Sequence, residues 1–116
     1  MELNIEKTHQ IDASDQREDG YYDYYYAYLL YTFTGDGRRI VARQYDVEPE
    51  KAAILNYSIQ RQRGKKWGNP RLFEAIEYED ELLKNAVKYL IEDEGVKDVQ
   101  ILVSTGYTAI DLRRLN

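Results

Sequence analysis

Seven of the eleven residues from Tyr21 to Tyr31 are tyrosine, in the run Tyr21-Tyr22-Asp23-Tyr24-Tyr25-Tyr26-Ala27-Tyr28-Leu29-Leu30-Tyr31. Tyrosine favours strands because its flat side chain, with two rotatable bonds, fits a pleated and half-buried surface. No proline or glycine interrupts the chain from Tyr21 to Thr34, so a strand is expected throughout. Alternation places Tyr22, Tyr24, Tyr26, Tyr28 and Leu30 on one face and Tyr21, Tyr25, Ala27, Leu29, Tyr31 and Phe33 on the other. Neither face reads as ordinary solvated surface. One is expected to be core and the other a covered or partner-binding surface. Residues 24–33 carry no charge and no proline, which makes an open edge hazardous and predicts a central or covered strand.

The 116 residues suit one domain, residues 1–116, able to bury roughly two-thirds of its unfolded surface without staples. Cysteine is absent, which removes disulfides and thiolate chemistry and fits a reducing compartment. The start, Met1-Glu2-Leu3-Asn4-Ile5-Glu6-Lys7, lacks the basic and apolar regions of a secretory signal, so a cytoplasmic location is expected. The longest apolar stretch, Tyr24 to Phe33, is half the roughly 20 residues of a membrane helix, and no membrane association is expected.

The net charge of −5 is unevenly spread. Residues 1–37 hold two basic and eight acidic side chains, residues 38–71 nine and three, and residues 72–116 five and ten. The middle third is a basic island in an acidic chain, which weighs against general nucleic-acid affinity while leaving a local version open.

Leu3, Ile5 and Ile11 share strand spacing and suggest an edge strand over residues 2–11, followed by a polar loop ending at Gly20. Gly35-Asp36-Gly37 offers a tight turn, and Arg38 to Asp46 returns as the antiparallel partner of the tyrosine strand, with Val41, Arg43 and Tyr45 on one face. Pro49 flanked by Glu48 and Glu50 predicts a short helix over 49–56. Residues 57–63 fit an extension of it or a strand equally well. Asn69-Pro70 reads as a helix start with Asn69 as cap, opening one helix or two over residues 70–94, and Gly95 reads as its stop. Alternation around Val99, Ile101 and Val103 predicts a strand, and Thr105-Gly106 a turn into a last strand over 107–112. The expected class is α+β: a mostly antiparallel sheet, with the hairpin 21–46 and C-terminal strands 98–112, and two or three helices packed on one face.

Three functional readings follow. The first is a non-enzymatic module that binds another protein, or a second copy of itself, through Tyr22, Tyr24, Tyr26 and Tyr28 and an acidic helix surface that includes Glu77 and Glu81. Tyrosine supplies large contact area at low ordering cost, and such a surface suits a basic partner. The second is a nucleic-acid binder in which Arg61, Arg63, Lys65, Lys66 and Arg71 hold phosphates and Trp67 stacks on bases, helped by Arg38 and Arg39. The third is a carboxylate-dependent enzyme, for which no catalytic residue can be picked out. His9 is the sole histidine and no Glu-x-x-His pair occurs, so no metal or cofactor is implied. Calcium-loop, dinucleotide and phosphate-loop motifs are all absent.

Overall fold

The computed structural model describes residues 2–61, 66–73 and 80–109. The chain folds into a seven-stranded mixed sheet with one α-helix against it: β1 (Asn4–Ala13), β2 (Tyr25–Gly35), β3 (Arg38–Tyr45), β4 (Lys51–Arg61), β5 (Lys66–Trp67), α1 (Glu81–Glu92), β6 (Asp98–Val103) and β7 (Gly106–Ala109). The strands lie in the order β1-β2-β3-β4-β6-β7, with β5 paired to β4 off this path. Among the described residues strand accounts for 56% and helix for 12%, with α1 the one helix, so the expectation of two or three helices on a mostly antiparallel sheet is overturned.

The β2–β3 hairpin forms as expected. Tyr31 faces Ala42 and Phe33 faces Ile40 across it, and the turn is closed by Asp36 and Gly37 at φ +50° and +74°. Two successive left-handed residues make the turn whose twist matches that of the flanking strands. β1 is the edge strand read from Leu3 and Ile5, pairing antiparallel with β2 from Asn4↔Thr34 to Ala13↔Tyr25.

Two helical expectations fail. Residues 51–61 are strand β4, antiparallel to β3 and, over Lys51–Ile54, parallel to β6. A bulge explains the misreading. The β3–β4 register slips between Val41 and Ala42, so that Ala52 and Ile54 point inward and then Tyr57 does, three residues on. That phase shift turns an alternating strand into a helix-like spacing. No helix opens at Asn69 either, and residues 74–79 of the helix expected over 70–94 lie outside the described residues. Tyr57 and Arg71 exchange backbone hydrogen bonds at 2.9 and 2.8 Å, which commits residues 69–71 to the sheet margin.

The helix instead opens at Asp80, whose Oδ1 accepts from the Leu82 and Leu83 amides at 2.7 and 3.4 Å, while Arg38 binds Oδ2. It ends before Gly95, which takes φ +71° as a stop residue can. Leu82, Leu83, Ala86, Val87 and Leu90 form its buried stripe. They close over Tyr31, Phe33, Ile40, Ala42, Ile54, Tyr57, Val99 and Ile101 on one face of the sheet. The opposite face, with Tyr26, Tyr28, Leu30, Arg39, Val41, Arg43 and Tyr45, carries no helix among the described residues.

Candidate functional site

The tyrosine run divides into two fates because β2 is longer than its partner β3. Pro49 lacks an amide hydrogen, and a turn with Glu48 N–H bonded to Tyr45 O at 3.0 Å ends β3 at Tyr45, which lies opposite Tyr28. Beyond that point β1 and β2 continue alone as a two-stranded arm from Ile11↔Ala27 to Ala13↔Tyr25, held to the sheet by one further bond, Asp46 N–H to Ala27 O at 3.0 Å. Tyr31 lies over the core and is fully buried. Tyr21, Tyr22, Tyr24, Tyr25 and Tyr26 lie on the arm and its loop and are between 43% and 72% exposed. Ile11 is exposed beside them. The expectation that residues 24–33 are covered therefore holds from Tyr28 onward and fails for Tyr24, Tyr25 and Tyr26.

The arm is internally bonded. Ser14 N–H donates to Tyr24 O at 3.0 Å, and Ser14 Oγ accepts from the Asp23 amide at 2.8 Å. Arg17 N–H donates to Tyr21 O at 2.7 Å, Gly20 N–H returns to Arg17 O at 2.9 Å, and Gln16 Nε2 donates to Gly20 O at 2.8 Å. The rings are arranged as well. Tyr24 stacks on Tyr26 at 6.2 Å, Tyr26 meets the edge of Tyr45 at 6.2 Å, and Tyr45 meets Tyr28 at 5.6 Å, giving an aromatic row on the helix-free face. Tyr22 instead contacts Tyr25 at 5.4 Å. Residues 12–26 also carry five carboxylates and one arginine, Arg17, which is already engaged with Asp19 at 2.9 Å and Asp23 at 3.7 Å.

The expected protein-binding residues are thus placed unequally. Tyr22, Tyr24 and Tyr26 are accessible, whereas Tyr28 is 8% exposed under Tyr45 and the Arg43 guanidinium, which sits 4.4 Å from its ring centre. Glu81 is exposed in the first turn of α1, across the sheet from Tyr26 and Tyr28, and Glu77 lies outside the described residues. On α1 itself Glu81 and Glu92 are matched in number by Lys84 and Lys88.

The basic cluster is described only in part. Arg38 is bound to Asp80, Arg39 lies 4.5 Å over the half-buried Trp67 ring, and Arg71 lies 5.4 Å from the Tyr57 ring. Lys66 is exposed on β5. Arg63 and Lys65, and the side chain of Arg61, lie outside the described residues.

The shifted ionisations belong to the core. Burial pushes the Tyr31 phenol far above its ordinary value and the Glu94 carboxylate adds to the effect; burial and Glu94 raise Tyr89 in the same way. Both phenols are held protonated: Tyr31 lies in the core and Tyr89, on α1, packs against its ring, away from the exposed arm. No protein-family model, curated protein or solved structure matches this chain. Among the described residues no helix is long and apolar enough to cross a membrane.

Proposed function

We propose that this protein is a non-enzymatic binding module that docks a basic surface of another protein onto its tyrosine-lined arm. One observation carries the reading: five tyrosines stand largely exposed on an ordered ribbon that has no core of its own beneath it. Tyr24 and Tyr26 stack side by side on the helix-free face and give one side of the ribbon a continuous aromatic surface. Tyrosine is enriched among the residues that dominate binding energy, and the hydrogen bonds of the 14–24 loop lower the ordering cost of docking. The acid excess on the arm selects the partner. Two such arms repel each other, while a lysine- or arginine-rich surface is drawn in and oriented. The cysteine-free composition suits a reducing cytoplasm as the setting.

Nucleic acid is a weaker fit on this geometry, since Arg38, Arg39 and Arg71 are each engaged by a carboxylate or an aromatic ring.

The test compares the wild-type chain with the double variant Tyr24→Thr, Tyr26→Thr, which keeps strand propensity and removes two rings. Partners captured from cell extract by the wild type and lost by the variant are purified and titrated calorimetrically. The expected partner is basic, binds the variant at least about tenfold more weakly, and weakens as salt rises from about 50 to 300 mM. A purified partner that binds both forms equally, or one with no basic surface, overturns the proposal.

A further inference from the structure

On the helix-free face, β3, β4, β6 and β7 enclose a pocket of about 330 Å³, lined by Arg43, Tyr45, Lys51, Gln100 and Tyr107, with Glu48 at its margin. Its volume lies in the range of small-molecule sites. Arg43 is its distinctive element. Its guanidinium lies over the Tyr28 ring, 4.4 Å from the ring centre, which limits where the group can point. Its Nε is buried and makes no hydrogen bond, and among the described residues no carboxylate lies within ion-pair distance of the group. Nε is sealed from solvent and so from a pocket ligand, but the terminal nitrogens of the group also have no carboxylate partner among the described residues, and a planar anion accepting from that edge is the chemistry that fits.

The charge balance narrows the class. Lys51 Nζ lies 3.3 Å from Glu48 Oε2, so these two neutralise each other and the lining is left with the single positive charge of Arg43. That favours a monoanion over a dianion such as a phosphate monoester. The body of the ligand meets the Tyr45 and Tyr107 rings and the Ala53 side chain, which faces away from the core that holds its neighbour Ala52. Tyr107 is 56% exposed and forms the outer wall.

We infer that this pocket binds a flat aromatic monocarboxylate, with the carboxylate on Arg43 and the ring between Tyr45 and Tyr107. The pocket shares the Tyr45 ring with the aromatic row that runs onto the arm, but its anion-binding group, Arg43, lies on β3, so the inference does not rest on the arm binding a protein.

Calorimetric titration with 2-naphthoate, 2-naphthyl phosphate and 2-naphthol tests it. A ligand of this size is expected to bind with a Kd of about 1 mM or below. The phosphate and the neutral naphthol should each bind several-fold more weakly, and Arg43→Gln should weaken 2-naphthoate about tenfold. Because Arg43 packs on Tyr28, Tyr107→Ala is measured in parallel; this exposed side chain supports no core, and its loss should weaken 2-naphthoate about threefold or more. No saturation by about 10 mM, equal binding of naphthol and naphthoate, or unchanged affinity in a folded Arg43→Gln and in Tyr107→Ala overturns the inference. Tighter binding of the phosphate overturns the monocarboxylate assignment.

Discussion

Replacing Tyr31 by phenylalanine removes one oxygen atom from the centre of the core and tests whether that core is as dry as the packing implies. The Tyr31 hydroxyl donates to Gln44 Oε1 at 2.6 Å, and Gln44 Nε2 donates in turn to Pro49 O at 2.6 Å. The ring contacts of Tyr31 with Phe33 at 6.0 Å and with Tyr89 at 6.3 Å survive the substitution, so little packing is lost. What is lost is a bond worth about 1 kcal/mol net and the satisfaction of a buried acceptor, worth about 1–3 kcal/mol if no water reaches it. Gln44 is buried, so the larger figure applies in part and the expected destabilisation is about 2 kcal/mol. For a chain of this length that corresponds to a fall in Tm of about 8 °C. Urea unfolding followed by circular dichroism reads it as a lower midpoint at unchanged slope. A double-mutant cycle with Gln44→Leu should return a coupling of about 1 kcal/mol or more. A loss below about 0.5 kcal/mol would show that solvent reaches the Gln44 amide, and the closed-core argument would then be wrong.

Asp80→Ala should cost about 1–2 kcal/mol, because the helix loses its N-cap and Arg38 its partner. Asp80→Asn, which keeps a capping oxygen, should recover most of that loss in the same unfolding assay, and equal losses in the two variants would refute the capping assignment. The raised phenols predict alkaline behaviour with a definite sign. Folded-state ionisation of Tyr31 and Tyr89 is driven above the ordinary value of 10.0, so their contribution to stability is complete below pH 10 and is lost as the pH climbs toward their folded values. Phenolate absorbance of the wild type, compared with Tyr31→Phe and Tyr89→Phe, should show these two groups ionising above the ordinary value, and the limiting loss of stability per phenol is about 1.4 kcal/mol per pH unit. Ionisation of this pair at the ordinary value would contradict their desolvation.

The parts of the fold that were legible are those where one physical signal acted alone. The β2–β3 hairpin was readable because Val41, Arg43 and Tyr45 alternate without interruption from a two-glycine turn. β1 was readable from Leu3, Ile5 and Ile11, and the strand runs two residues past the expected end to Ala13. β4 was not, because the bulge after Ile54 breaks its alternation and Pro49 with two glutamates mimics a helix start. Its parallel pairing with β6 was hidden too, since a long crossover containing α1 separates them and no local pattern records which strand they meet. The helix start was misplaced because Asn69-Pro70 carries a stronger local cap signal than Asp80, whose Oδ1 nonetheless accepts from the Leu82 and Leu83 amides.

The candidate sites show the same division. Alternation identified which tyrosines share a face, but exposure was set by where β3 stops, a tertiary fact that left Tyr28 covered and Tyr24 and Tyr26 bare. The pocket was missed for a related reason. Arg43 and Tyr45 were placed on one face from their spacing, yet Gln100 and Tyr107 join them only through the strand order.

Light scattering coupled to size exclusion, at about 50 and 150 mM salt on protein cleared of nucleic acid, tests most directly whether the arm is kept for a foreign partner. A monomer of 13.7 kDa in both conditions is the predicted result, because paired acidic arms repel and more strongly so at the lower salt. A dimer that the Tyr24→Thr, Tyr26→Thr substitutions dissolve would contradict the account, since the exposed rings would then be spent on a second copy of the chain.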